Sequence, residues 1–244
     1  MRIVAVDAGN SRIKWGVWED EWSSQGSMPT AQFDTLAAAW ESVPPPYAIF
    51  ASNVAGARVR NSLDAWAAPR DIEVHWLESR REQCGVRSAY REPGQLGADR
   101  WASLIAAWHL VGGAALVVNA GTAVTIDALD REGVFHGGVI MPGLALMASA
   151  LASGTAGLPQ TRGTFAAFPD NTADAIASGA LLAVCGAIDR MHSTLSAATG
   201  TRPQIVLSGG AAPAIAAQLN APALSVPYLV LEGLRVVANA GLAA

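Results

Sequence analysis

The segment Ile3-Val-Ala-Val-Asp7-Ala-Gly9-Asn10-Ser11 returns 112 positions later as Ala115-Leu-Val-Val-Asn119-Ala-Gly121-Thr122-Ala123. Each copy is an apolar run ending in Asp or Asn, then Ala-Gly, a small polar stretch and a second alternating run. That is the pattern of a strand-turn-strand unit. The spacing is nearly half of the 244 residues, too long for a solenoid repeat, so two α/β domains are expected, 1–112 and 113–244. In the first half, strands are expected at 3–8, 12–19, 48–53 and 72–77, and helices over Asp34–Ser42, Ala57–Ala67 and Ala98–Leu110. The second half reads as strands at 115–119, 123–129, 134–140 and 204–208, with helices near 143–153, 172–197, 212–219 and 230–240. The junction falls near Gly112-Gly113, and a ligand is expected in a cleft between the two domains.

Charge narrows what that ligand is. The net charge is −4 and no stretch concentrates Lys or Arg, which argues against nucleic acid and against an anionic membrane surface. A small solute is the expected partner. Two stretches, Trp101–Ile126 and Gly133–Thr161, lack formal charge, but Gly, His and Asn interrupt the first and Gly, His and Pro the second, so they are read as buried strands and helices, not membrane spans. Cys84 and Cys185 have no neighbours at disulfide-framework or zinc spacing, and the His residues at 75, 109, 136 and 192 are unpaired. The apolar run Ile3–Val6 is too short for a secretory h-region, and a cytoplasmic protein is expected.

A turn of the form Asp-x-Gly-Asn between two strands suits a polyphosphate. Gly9 would permit positive φ, backbone N–H groups would point at phosphate oxygens, Asp7 would hold Mg²⁺ or its waters, and Lys14 would neutralise a phosphate. An ordinary hairpin with a solvated Lys satisfies the same local pattern; the near-copy at 119–122 is what favours the phosphate reading. P-loop, dinucleotide-fold and protein-kinase motifs are absent from the sequence. Ser208-Gly209-Gly210 follows an apolar strand and would let backbone approach a ligand, or would simply turn the chain. In Tyr90-Arg-Glu-Pro93-Gly-Gln-Leu-Gly97-Ala-Asp99-Arg100, Asp99 falls in the first turn of a helix. There it is either a stabilising cap or a carboxylate held ionised to accept a hydroxyl proton.

Taken together, Asp7-x-Gly9-Asn10-Ser11-x-x-Lys14, Tyr90-x-x-Pro93-x-x-Leu96-Gly97-x-Asp99-Arg100, Gly121-Thr122-Ala123-x-Thr125-x-Asp127, Gly137-Gly138-x-Ile140-x-Pro142-Gly143 and Asn171-Thr172-x-x-Ala175-Ile176-x-x-Gly179 resemble the type III pantothenate kinases. The resemblance implies two duplicated actin-like (ribonuclease H-like) domains and phosphorylation of pantothenate by ATP and Mg²⁺, the first step towards coenzyme A. It also implies that Asp7, Ala8, Gly9, Asn10, Ser11, Arg12, Ile13, Lys14 and Thr122 bind ATP. Tyr90, Gly97, Ala98, Asp99, Arg100 and Thr172 would contact pantothenate, with Asp99 as general base, in a homodimer. This family has Asp as a ligand for a monovalent cation (K⁺ or NH₄⁺) where this chain has Asn119, so strict cation dependence is not expected. Other readings are an actin-like kinase for a sugar or acetate, and a kinase-like regulatory protein without catalysis.

Overall fold

In the computed structural model, which describes residues 2–35, 40, 46–155, 157–158 and 162–242, the chain divides into two units. One is Met1–Leu110 with Tyr228–Ala244; the other is Val111–Pro227.

The first unit is built on β1 (Ile3–Ala8), all six of whose residues are buried. A run that is apolar on both alternating faces can only be a strand covered on both sides. β1 pairs antiparallel with β2 (Arg12–Trp18) and parallel with β4 (Ala48–Asn53), and with β3 (Trp22–Pro29) and β5 (Glu73–Trp76) the sheet order is β3-β2-β1-β4-β5. The period of two then sorts the side chains. Val4, Val6, Ile49 and Ala51 pack against Val59 and Leu63 of α1 (Ala57–Ala67). Ile3, Ala5, Ala48 and Phe50 face the other way, onto Ala102 of α2 (Ala98–Val111) and Val230, Leu231 and Leu234 of the C-terminal helix.

That C-terminal helix, which lies in the second half of the chain by sequence, packs on the first sheet. Leu231 and Leu234 are fully buried, and each stabilises the packing by about 1.5–3 kcal/mol. Trp22 Nε1 donates to Glu232 Oε1 at 2.6 Å, and the Arg235 guanidinium lies over the Trp18 ring. Gly233 lets the helix touch α2, since a Cβ there would strike the Ala102 carbonyl oxygen. Between Trp76 and α2, β6 (Glu82–Gln83) and β7 (Val86–Ser88) form a short antiparallel ladder.

The second unit repeats the plan. β8 (Ala115–Ala120) pairs antiparallel with β9 (Ala123–Leu129) and parallel with β11 (Gln204–Ser208), in the order β10-β9-β8-β11-β12, with β10 at Val134–Pro142 and β12 at Ala223–Ser225. Leu116, Val118 and Ala120 meet Leu181, Val184, Cys185 and Ile188 of the long helix α4 (Thr172–Thr199) and Ile215 of α5 (Ala212–Ala216). α3 (Leu144–Gly154) follows β10, and the C-terminal helix, α6, is Leu229–Leu242. α4 is long and apolar enough to cross a membrane by length and composition, and one face of it is this unit's core.

The edge strands β3 and β12 had no sequence expectation behind them. Their mostly exposed, weakly apolar patterns carry no periodic run, and their place is set by pairing with β2 and β11. Thr30–Thr35 is a 3-10 turn, and most of the helix expected over Asp34–Ser42 falls outside the described residues.

Candidate active site

Asp7 stands at the end of β1, 5% exposed, where the ladder sets Lys14 opposite it on β2 and Ser52 beside it on β4. Lys14 Nζ donates to Asp7 Oδ2 at 3.3 Å and Ser52 Oγ donates to Asp7 Oδ1 at 3.2 Å. Burial pushes the Asp7 carboxyl above its ordinary value; the Lys14 charge opposes this, and the Asp99 carboxylate adds to it. Gly97 stands nearby: a Cβ there would lie 3.8 Å from Val54 Cγ1, just beyond β4, and 2.6 Å from Asp99 Oδ1.

The turn Gly9-Asn10-Ser11 is closed by Gly9 N–H donating to the Arg12 carbonyl at 3.1 Å and is braced by Thr30 Oγ1 on the Gly9 carbonyl at 2.6 Å. Gly9 does not take the positive φ expected of it. Its need is close approach: a Cβ would stand 2.9 Å from the Arg12 carbonyl oxygen. Ala8 and Ile13 are fully buried in the sheet core, so only their backbone can meet a ligand, whereas Asn10, Ser11 and Arg12 are exposed.

Asp99 occupies the first turn of α2 and accepts from the Arg100 N–H through Oδ1 at 2.8 Å, which keeps the carboxylate at the helix's positive end. Ala98 is the first residue of that helix. Arg100 is 6% exposed, and its Nη1 lies 3.5 Å from the Tyr90 hydroxyl. The first unit thus assembles Asp7, Lys14, Tyr90, Gly97, Asp99 and Arg100 from four separate stretches of chain. Sequence reasoning missed Ser52. Its signal is the first polar residue after the apolar run of β4, at a register visible only once β4 is known to lie parallel to β1.

In the second unit Gly121 N–H donates to the Ala123 carbonyl at 3.0 Å, so this turn is one residue tighter than its partner. The register pairs Asn119 with Thr125 on β9 and with Ser208 on β11. Thr125 Oγ1 is buried with no hydrogen-bond partner among the described residues. The glycine motifs serve packing here. A Cβ at Gly143 would strike the Gly121 carbonyl oxygen, one at Gly138 the Asp127 carboxylate, and one at Gly209 (φ 101°) the Ala120 carbonyl oxygen. Thr122 is exposed at the turn, and its carbonyl accepts from Gly143 N–H at 2.9 Å.

Thr172 opens α4 and is exposed. Asn171 caps the helix, its Oδ1 accepting from Asp174 N–H at 3.0 Å, while Asp174 accepts from Thr164 N–H at 2.6 Å. The Thr164 backbone bond, with Asn171, holds the Asp174 carboxyl below its ordinary value. Beside this helix start, Pro142, Met147, Leu151, Asn171, Thr172 and Ile176 help line a groove of about 900 Å³.

Two sheets that share one five-strand order, each with a tight turn after the middle strand of that order, define the actin-like class to which many small-molecule kinases belong. Solved structures share this fold: a Campylobacter jejuni protein assigned to the Baf family of transcriptional activators (TM-score 0.66, 22% identity, 99% of this chain and 100% of that one) and a glucokinase from an Antarctic psychrotroph (TM-score 0.52, 12% identity, 98% and 99%). Within that class the sequence is decisive. The family profile of type III pantothenate kinase matches residues 3–194, and a type III pantothenate kinase of Nitrosospira multiformis is 44% identical over 238 residues, 97% of this chain and 91% of that protein. The chain belongs to the type III pantothenate kinase family.

Proposed function

We propose that this chain transfers the γ-phosphoryl group of ATP to the primary hydroxyl of pantothenate, giving 4'-phosphopantothenate in the first step of coenzyme A synthesis. What supports this reading is the near full-length identity to a pantothenate kinase, joined to the contacts of Lys14 with Asp7 and of Tyr90 with Arg100 within the first unit. Phosphoryl transfer needs positioning and charge stabilisation more than covalent chemistry. In this reading the turns at Gly9 and Gly121 offer backbone N–H groups to phosphate oxygens, and Lys14 and Thr122 add side-chain donors. Tyr90, Gly97, Ala98, Arg100 and Thr172 hold pantothenate. Asp99, with one oxygen on the Arg100 N–H, has lone pairs left to accept the hydroxyl proton as the phosphoryl group arrives.

Asp7 fits Mg²⁺. It is a hard oxygen ligand, the kind that would hold the ion directly or through its waters, with phosphate oxygens completing the shell. When bound, the ion supplies charge neutralisation at the phosphates. Leu146, Leu151, Phe165, Phe168 and Leu182, exposed on the second unit, support pairing with a second copy of the chain as a homodimer. Consumption of ATP supports a cytoplasmic setting.

The direct test is ADP release by the purified chain with ATP and Mg²⁺, with and without pantothenate, and the mass of the product. Release that is the same with and without pantothenate would overturn this function.

A further inference from the structure

The segment that brings Tyr90 back to α2 takes its shape from a residue outside the reacting centre. β6 and β7 are joined by a two-residue turn, Cys84-Gly85, with φ of 50° and 81°, the left-handed pair that a type I′ hairpin requires. This hairpin is seated on α2. His109 Nε2 donates to the Cys84 carbonyl at 3.0 Å, Trp101 Nε1 donates to Gln83 Oε1 at 2.8 Å, and a Cβ on Gly85 would stand 2.7 Å from Trp108 Nε1. The chain leaving the hairpin then curls around Arg81. Nη1 donates to the carbonyls of Ser88 at 2.9 Å and Tyr90 at 2.8 Å, Nη2 donates to the Arg91 carbonyl at 3.1 Å, and the Arg81 carbonyl accepts the Ser88 N–H at 2.9 Å.

Three carbonyl dipoles aimed at one point repel each other unless a cation sits among them. A guanidinium spreads five N–H donors over a rigid plane and satisfies all three acceptors at once, whereas an ammonium is a point donor on a flexible stem. Tyr90, whose carbonyl Arg81 holds, has its hydroxyl 3.5 Å from Arg100 Nη1, and Arg100 is next to Asp99 in sequence.

We infer that Arg81 is a positioning residue for the acceptor-substrate pocket: by gathering the carbonyls of Ser88, Tyr90 and Arg91 it fixes where the Tyr90 side chain stands relative to Arg100. This inference rests on the reading that Tyr90 and Arg100 contact pantothenate. Arg81 itself touches neither reacting group.

The test compares Arg81→Lys, Arg81→Gly and Tyr90→Phe by steady-state kinetics with each substrate varied, alongside thermal melting. Misplacing Tyr90 is expected to lower kcat/KM for pantothenate by up to about 10²-fold in Arg81→Gly and by less in Arg81→Lys. The KM for ATP is expected to stay within about twofold, the split that marks loss of acceptor binding alone. Guanidinium ion added to Arg81→Gly is expected to restore part of the pantothenate term. Parallel rises in both KM values with a lowered melting temperature and no guanidinium rescue would reduce Arg81 to a residue of general stability. If Tyr90→Phe raises the pantothenate KM and neither Arg81 variant does, the Arg81 inference falls alone. If Tyr90→Phe leaves that KM unchanged, the assignment of Tyr90 falls, and the Arg81 inference with it.

Discussion

The two turns after β1 and β8 close ladders of the same kind in separate sheets, yet differ chemically at the strand end and at the position opposite it. In the first, the terminal Asp7 is flanked by Lys14 and Ser52; in the second, Asn119 is flanked by Thr125 and Ser208. The serines occupy equivalent places, and the other two positions have lost their charges. The second turn is also one residue tighter, so the residue opposite Asn119 is Thr125 and not the one that the 112-residue offset would choose. Duplication preserved the backbone device, a glycine turn at the end of a central strand. At these register positions charge is found only in the unit that also holds Asp99. The difference teaches that one backbone turn can be built with or without titratable groups at its register positions, because the ladder alone sets the turn.

The largest expected effect tests whether the first unit carries the chemistry. Asp99→Asn should lower kcat by about 10²–10⁴-fold, the usual worth of a general base, with ATP binding largely intact by calorimetry. Near-normal turnover would remove Asp99 from that role.

Next come the register-equivalent positions Lys14 and Thr125. Lys14→Met strips a buried carboxylate of its cation, a change expected to lower stability by about 1–3 kcal/mol in chemical denaturation, because the pair is partly exposed on the Lys side. Thr125→Val keeps the shape and removes a buried hydroxyl that has no partner among the described residues, so it should raise stability by about 1 kcal/mol. Changes of the same sign at both positions would break the comparison.

A third outcome depends on pH. Burial holds the Asp7 carboxyl above its ordinary value, so its protonated form favours the folded state, and that contribution is lost as pH rises through the raised value. Asp7→Asn titrates nowhere. The melting temperature of the native chain minus that of Asp7→Asn, without nucleotide, should therefore fall as pH rises from about 4 to 8. A difference that stays level would mean Lys14 and Ser52 compensate the burial fully.

The smallest effect belongs to the neutral turn. With an amide at Asn119 and neutral register neighbours, replacing choline by K⁺ should stimulate activity weakly or not at all, and Asn119→Asp should increase the response. A steep rise with K⁺ in the native chain would contradict this.

Several features were legible in the residues themselves. The repeated strand-turn-strand pattern, the apolar strands, and Asp99 at a helix start follow from periodicities of two and 3.6, which local sequence dictates. The same rules place Lys14 across the turn from Asp7, because antiparallel neighbours joined by a short turn have a register that the turn length sets. Ser52 and Arg81 were not legible. The first reaches Asp7 through a parallel pairing 45 residues away, and the second satisfies carbonyls whose convergence exists only after the β6–β7 hairpin is docked. Nor does the amphipathic pattern of α6 say which sheet it covers. A helix's apolar face specifies burial but not a partner, and here Gly233 against Ala102 and Glu232 against Trp22 select the first sheet, at the opposite end of the chain. Local rules thus wrote the elements and most of the reactive groups, while long-range packing chose the neighbours that orient them.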